Sequence, residues 1–145
     1  MNDVIVYTFS SAKRYLSNDN VFVLQRLKLD LDALQKRIIA HPPKLVIGVG
    51  RGRRLGYESV AVNQFNRHSE VIKCGPDQFA LNVPPTTLPV NTEAKTSFCN
   101  WSAYRLAYFI QENELPTKLS FLHFDPEETD RLALEINRLL DEVAA

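Results

Sequence analysis

The chain has 145 residues, and its 17 basic and 17 acidic side chains give a formal net charge of zero. This length predicts one domain, residues 1–145, with a sizeable core. The balanced charge gives no general attraction to nucleic acid or to a membrane surface, so neither is expected as a partner. Two cysteines are too few for a disulfide framework, no apolar run is long enough to span a bilayer, and Met1–Asp3 does not resemble a signal peptide. A cytoplasmic location is therefore expected.

Two extended segments are predicted near the start of the chain, at Val4–Phe9 and Val21–Leu29. Asp30 is then placed to cap a helix that runs to Ala40 and is stopped by two prolines. Its apolar side chains recur at helical spacing and define one buried face: Leu31, Leu34 and Ile38. The run Lys44–Val49 is continuously apolar, which is typical of a strand buried on both faces of a parallel sheet.

The second half of the chain continues the alternation of strands and helices. Ser59–Val62 and Val71–Cys74 predict short strands, and the proline-rich segment Gly75–Pro89 predicts a loop. A helix is predicted for Asn100–Glu112 and a strand for Leu119–Phe124. This alternation predicts a three-layer α/β/α domain with a mostly parallel, twisted sheet.

The last helix has the strongest boundary signals in the chain. Asp125 is its predicted N-cap, Pro126 occupies the first turn, and Glu128 stands three residues after the cap as in a capping box. Its predicted buried stripe consists of Leu132, Ile136, Leu139, Leu140 and Val143.

Cys99, His123 and Glu58 are the candidate reactive residues. A cysteine attacks as a thiolate, and therefore needs a base and a field that favours the anion. Cys99 lies where an apolar run turns into the helix 100–112, His123 ends the strand 119–124, and Glu58 follows the strand 44–49. Taken singly, such residues are more often structural, and Cys74 is predicted to be a buried structural thiol.

Three segments carry a resemblance to a known family. The first runs from strand 44–49 through the glycine-rich turn 50–54 to the block Glu58–Asn63; the second ends in Cys99–Asn100; the third, 121–124, contains His123. Together they resemble the pyroglutamyl peptidase I family of cysteine peptidases, also called pyrrolidone carboxyl peptidases, which remove an N-terminal pyroglutamate. The resemblance implies Cys99 as nucleophile, His123 as base and Glu58 as the acidic member of a triad. It also implies self-association as dimers or tetramers.

The segments that the family uses to recognise substrate differ here. The family's first strand leads to a turn whose two phenylalanines line the ring pocket, whereas Phe9 supplies at most the first of them. A glutamine of the glycine-rich turn is absent, and Arg51, Arg53 and Arg54 stand in that turn instead. We therefore expect Phe9, Phe98, Arg51 and Arg53 to contact the substrate, pyroglutamyl amidase activity to be weak, and acidic acyl groups to be preferred if the arginines face the pocket.

Three functions remain open on the sequence. The favoured one is a cysteine peptidase or amidase that acts through a thioester on a peptide or small amide, without a metal or cofactor. A second is a non-catalytic interaction protein on an eroded peptidase fold. The third is a nucleotide- or RNA-binding module with the loop Gly48–Arg54 as its phosphate cradle. Against the third, Leu55–Val62 predicts a turn and strand where a dinucleotide fingerprint requires a helix.

Overall fold

A computed structural model describes residues 3–16 and 20–145. Among these residues the strands are β1 (Val4–Phe9), β2 (Val21–Leu24), β3 (Leu45–Arg51), β4 (Gly56–Glu58), β5 (Val60–Val62), β6 (Gln78–Ala80), β7 (Val90–Asn91) and β8 (Lys118–Phe124). The helices are α1 (Leu27–Ala40), α2 (Phe98–Glu112) and α3 (Thr129–Ala144). None of the described helices is long and apolar enough to cross a membrane. Met1 and Asn2, which enter the expectation about a signal peptide, lie outside the described residues.

The main sheet has the strand order β2-β1-β3-β8-β4-β7, and β5 and β6 form a separate two-stranded sheet. All neighbouring pairs in the main sheet are parallel except β4 with β8, which are antiparallel. The prediction of an α/β fold with a mostly parallel sheet is confirmed. The short reversed strand β4 matters for the site, since it carries Glu58.

Helices cover both faces of the sheet. On one face, α1 and α2 pack against side chains that include Tyr7, Val46 and Phe121. On the other face, α3 packs against residues that include Ile47 and Leu122. The predicted buried residues of α1, namely Leu31, Leu34 and Ile38, are fully buried. In α3, Leu132, Ile136 and Leu139 are buried, while Leu140 and Val143 are partly buried against the same core.

The predicted extended segment Val21–Leu29 is wrong in its second half. Strand β2 ends at Leu24 and α1 begins at Leu27 with Arg26 as its N-cap, four residues before the predicted cap Asp30. Asp30 explains the early start, because its carboxylate accepts hydrogen bonds from the backbone N–H groups of Gln25 and Arg26 at 2.9 and 2.8 Å. Asp30 therefore caps the helix from inside the first turn and is not the N-cap residue.

The predicted strand Val71–Cys74 is also wrong, because this segment is a turn. The side chain of Asn63 bonds to both the N–H and the C=O of Ile72, at 2.9 and 2.8 Å, and so occupies the groups that a strand would pair. Cys74 adopts a positive φ of 62° and is exposed, so the expectation of a buried thiol fails. Strand β6 lies in the segment predicted to be only loop.

The capping box predicted at the last helix does not form. Asp125 accepts the N–H of Glu127 at 2.9 Å and caps a short 3-10 turn that precedes α3. Glu128 instead accepts the N–H of Leu55 at 2.8 Å and pairs with Arg131. Glu128, which the sequence predicts as part of a local cap, therefore links the start of α3 to the segment that follows β3.

Candidate active site

Cys99 lies in the first turn of α2, as the sequence predicts. Ser97 is the N-cap: its hydroxyl accepts the N–H of Asn100 at 3.2 Å and its carbonyl accepts that of Trp101 at 2.9 Å. Among the described residues, the N–H groups of Phe98 and Cys99 have no acceptor. These free donors and the helix dipole place partial positive charge beside the thiol and can stabilise an anion.

Asn100 fixes the start of α2 to the neighbouring two-stranded sheet. Its side chain accepts the N–H of Val62 at 2.8 Å and donates to the carbonyls of Val62 and Gln64 at 2.9 and 3.3 Å. The residue is buried, so these bonds satisfy its amide fully where water cannot. The Cys-Asn pair of the motif thus joins a candidate nucleophile to the residue that holds it in place.

His123 and Glu58 meet across the antiparallel pair β4 and β8. Glu58 stands opposite Phe121, two residues before His123, so the two side chains are diagonal neighbours on one face. The Glu58 Oε1 lies 3.2 Å from His123 Nδ1. This contact leaves Nε2 as the ring nitrogen available to the thiol of Cys99. Glu58 thus reaches the site from its own reversed strand, whereas the sequence suggested a position after β3.

The environment of His123 favours the protonated ring. Burial alone lowers its pKa, but hydrogen bonds from the protonated ring to Cys99 and then to Glu58, together with the charges of these two groups, raise the pKa from 6.5 to about 9. The imidazole is therefore an imidazolium at neutral pH. A cation beside a thiol favours its thiolate form, which is the nucleophile.

Asn91 is a residue of the site that the sequence analysis missed. It stands opposite Glu58 on β7 and donates a hydrogen bond from Nδ2 to Glu58 Oε1 at 3.1 Å. The same carboxylate oxygen therefore contacts both Asn91 and His123. A two-residue strand has no periodicity to detect, so only the pairing of β4 with β7 could have revealed this contact.

Gly50 in β3 and Gly52 just after the strand leave space for the side chains of Cys99 and His123. A Cβ atom at Gly50 would come within 2.5 Å of Cys99 Sγ, and one at Gly52 within 2.9 Å of His123 Cβ. Gly50 stands opposite His123 in the parallel register, inside a strand that continues to Arg51. The sequence analysis placed Gly50 in a turn after the strand, where the glycines could have formed a phosphate cradle. Gly48 and Gly50 instead lie within β3, where Gly50 packs against Cys99 and Gly48 against Tyr7 and Phe121.

A cleft of about 410 Å³ opens above these groups. Its lining includes Cys99, His123 and Glu58, and it also includes four basic residues: Arg51, Arg53, Arg54 and Lys95. The two arginines expected to contact substrate therefore both belong to the lining, although the guanidinium of Arg51 lies against Tyr15 outside it. Phe9 is buried in the core beside Tyr7, and Phe98 is exposed beside Phe65. Neither phenylalanine lines the cleft, so neither enters the proposals below.

No group of three or more His, Cys, Asp or Glu side chains in the described ranges is arranged to hold a metal ion. The chemistry available in the cleft is that of a thiol, an imidazolium and a carboxylate beside a helix N-terminus. These three groups lie together at the edge of the mostly parallel sheet, in the lining of one cleft.

Comparison with solved structures finds the same fold in one class of enzyme. A mutant pyrrolidone carboxyl peptidase from Pyrococcus furiosus is similar with a TM-score of 0.71 at 17% identity, over 97% of each chain. The pyrrolidone carboxyl peptidase from Thermococcus litoralis gives 0.66 at 17% identity, over 85% of this chain and 76% of that one. Pyroglutamyl peptidase I from Bacillus amyloliquefaciens gives 0.64 at 18% identity, over 86% and 83%. No family model and no curated protein matches the sequence. At identities this low, the likeness shows the fold alone.

Proposed function

We propose that this protein is a cysteine peptidase or amidase that hydrolyses an N-terminal acyl amide, with Cys99 as nucleophile. The observation that carries the proposal is that Cys99, His123 and Glu58 line one cleft, with Glu58 Oε1 3.2 Å from His123 Nδ1. The fold shared with pyrrolidone carboxyl peptidases supports the same class of reaction.

In the first half of the reaction, the Cys99 thiolate attacks the carbonyl carbon of the amide. The carbonyl oxygen becomes an oxyanion, and the N–H groups at the start of α2, including that of Cys99, are its nearest donors. Each such donor is worth on the order of 3 kcal/mol to a transition state. The His123 imidazolium then gives its Nε2 proton to the leaving amine, the C–N bond breaks, and a thioester to Cys99 remains.

In the second half, neutral His123 takes a proton from a water molecule that attacks the thioester. The C–S bond breaks, the acid is released, and the thiolate and imidazolium return together. Glu58 bonds to Nδ1 throughout and fixes the ring orientation, and its negative charge stabilises the imidazolium. Asn91 holds the same carboxylate oxygen and acts as a positioning residue.

Hydrolysis of chromogenic amides tests the proposal. The protein is incubated with pyroglutamyl p-nitroanilide and with other acyl p-nitroanilides, and Cys99→Ala is the matched control. Hydrolysis that this substitution abolishes supports the proposal, and mass spectrometry of a rapidly quenched reaction should find the acyl group on Cys99. Absence of hydrolysis across the panel contradicts it and favours the non-catalytic interaction protein.

Selective alkylation gives a test that needs no substrate. Cys74 is exposed and Cys99 is only partly so, hence access alone favours labelling of Cys74. We nevertheless expect iodoacetamide to modify Cys99 first below pH 7, because Cys99 lies at a helix N-terminus and lines the cleft with His123, whereas Cys74 has neither neighbour. His123→Ala should remove this selectivity. Equal or reversed labelling in the unaltered protein counts against Cys99 as nucleophile.

A further inference from the structure

The cleft carries an excess of positive charge from two separate segments. Arg51, Arg53 and Arg54 belong to the segment that follows the glycines of β3, here called the arginine turn (residues 51–54), and Lys95 belongs to the segment before α2. The acidic residue of the lining is Glu58, and its Oε1 is already in contact with His123 and Asn91. The lining therefore carries more positive than negative charge.

These cations differ from the paired arginines elsewhere in the chain. Arg26, Arg105, Arg131 and Arg138 each form an ion pair with a carboxylate. Within residues 3–16 and 20–145, neither the arginine turn nor Lys95 has such a pair. Four unpaired cations that line one cleft would bind an anionic group that enters it.

The backbone of the arginine turn is fixed by two hydrogen bonds to neighbouring segments. The N–H of Gly52 donates to the carbonyl of Phe124 at 2.8 Å, and the N–H of Leu55 donates to Glu128 Oε1 at 2.8 Å. The guanidinium of Arg51 lies 5.4 Å from the ring centre of Tyr15, which is outside the cleft lining, so Arg53 and Arg54 are the arginines of the turn available to a ligand in the cleft. A fixed turn loses little conformational freedom when a ligand binds, so its cations are partly preorganised.

We propose that the substrate carries a carboxylate, which the arginine turn or Lys95 binds while the amide carbonyl lies against Cys99. This inference rests on the proposed function. Guanidinium groups bind carboxylates through two parallel hydrogen bonds, whereas an uncharged pyroglutamyl ring offers them no anion. The carboxylate has two possible sources: the acyl group, or the amino acid that leaves. The arginine turn and Lys95, which lie on different segments, allow variants to separate the two.

Two pairs of substrates, matched in size and differing only in charge, test the acyl side and the leaving side separately. Glutaryl p-nitroanilide carries a carboxylate, and its primary amide has the same size and shape without the charge. The second pair tests the leaving side. Both members have the same uncharged acyl group, and the amino acid that leaves carries a free carboxylate in one member and a carboxamide in the other. We expect kcat/KM to be at least about tenfold higher for the charged member of one pair, because charge-assisted hydrogen bonds are roughly twice as strong as neutral ones. Equal rates within both pairs overturn the inference.

Variants and salt then identify the binding groups. The double change Arg53→Gln with Arg54→Gln should remove an acyl-side preference, and Lys95→Gln should remove a preference on the leaving side. Arg37→Gln, an exposed arginine on α1 outside the cleft, is the matched control and should change neither. The preference should also shrink at 1 M salt, where the screening length falls to about 3 Å. A preference that survives all the cleft variants contradicts the assignment to these cations.

A binding measurement separates this inference from the proposed function. Calorimetric titration compares glutarate with uncharged glutaramide, in the unaltered protein and in the Arg53→Gln, Arg54→Gln and Lys95→Gln triple variant. Glutarate binding that the triple variant loses supports a carboxylate site even if no amide is hydrolysed, and in that case the hydrolase proposal alone fails. Amide hydrolysis without charge preference or glutarate binding overturns the carboxylate site and leaves the hydrolase proposal intact.

Discussion

The two faces of β3 differ in the second half of the strand, where one carries an apolar side chain and the other carries glycines. On the face toward α3, Leu45, Ile47 and Val49 are buried in an apolar core. On the face toward α1 and α2, Val46 is buried near the start of the strand, but Gly48 and Gly50 carry no side chain in its second half. Phe121 and Tyr7 occupy the space beside Gly48, and the thiol of Cys99 occupies the space beside Gly50. One face of the strand thus supplies apolar side chains to a core. On the other face, the missing side chain at Gly50 lets the thiol of Cys99 lie close to the backbone.

This difference separates stability from chemistry within a single strand. Side chains on the α3 face stabilise the sheet through burial, at about 25 cal/mol per Å² of apolar surface. The glycines of the α2 face contribute no such burial, and what they provide is the position of the thiol. Substitutions on the two faces should therefore have different consequences, and the predictions below use that contrast.

The largest expected loss of activity comes from changes at Cys99 and His123, the two candidate reactive residues beside Gly50 and Gly52. Cys99→Ala and His123→Ala should each reduce kcat by at least about a thousandfold, and the double variant should be little worse, because members of a catalytic unit are strongly non-additive. Steady-state kinetics with the best substrate of the panel measures all three. Losses that multiply in the double variant would mean that the two side chains act independently.

The next prediction compares the two faces of β3 directly. Gly50→Ala places a methyl group 2.5 Å from Cys99 Sγ, so the thiol must move, and activity should fall by about a hundredfold or more. Val49 is the residue before Gly50 and lies on the opposite face. Val49→Ala should reduce the free energy of unfolding by about 2 kcal/mol while the folded protein retains its activity. Urea unfolding and activity per folded molecule are measured for both. Similar activity losses in the two variants would remove the contrast between the faces.

The sequence predicted the sheet's core better than its edges. The apolar run of β3 and β8 and the helical spacing of Leu31, Leu34 and Ile38 report burial directly, and these elements lie where expected. Strands β4, β5, β6 and β7 have two or three residues each, too few for periodicity to show. Their positions follow from pairing with distant segments, which local patterns do not encode.

The site was predictable in its side chains but not in its surroundings. Cys99, His123 and Glu58 were found from their motifs, and the structure brings them together. Asn91 and Lys95 were missed because they reach the cleft through the pairing of β4 with β7 and through the segment before α2. Glu128 was misread because its spacing from Asp125 fits a capping box, while its actual partner, Leu55, is distant in sequence.

A smaller loss of activity than that of the Cys99 and His123 variants is expected at Glu58, which contacts the imidazole of His123 from β4. Glu58→Gln should reduce kcat by about 10- to 100-fold, since one hydrogen bond to a charged group is worth about 1.5–3 kcal/mol. It should also lower the pKa of His123 from about 9, and Cys99→Ala should lower it further, because the bond to Cys99 is the larger contribution. NMR titration in a His41→Asn, His68→Asn background observes this single ring. An unchanged pKa in both variants would contradict the contacts.

The same pKa predicts how stability depends on pH. Because the folded value of about 9 lies above the ordinary 6.5, protonated His123 stabilises the fold fully below pH 6.5. That contribution is lost as pH rises from 6.5 through about 9. Urea unfolding at pH 6 and pH 9.5 should show the loss in the unaltered protein and a smaller loss in His123→Asn. Equal pH dependence in the two proteins would assign the change to other groups.

The smallest expected effect concerns Asn91, which touches the carboxylate and not the reacting atoms. Asn91→Ala removes the hydrogen bond to Glu58 Oε1, and kcat should fall by about three- to tenfold with KM unchanged, since a neutral donor to a partly solvated carboxylate contributes about 0.7–1.4 kcal/mol. Asn91→Asp sets a second negative charge beside Glu58 and should raise the pKa of His123, which a purely structural role would not predict. Asn113→Ala removes an amide of the same kind at the end of α2 and serves as the control. If both Asn91 variants lose stability but leave the His123 titration unmoved, Asn91 holds the sheet edge together without positioning Glu58.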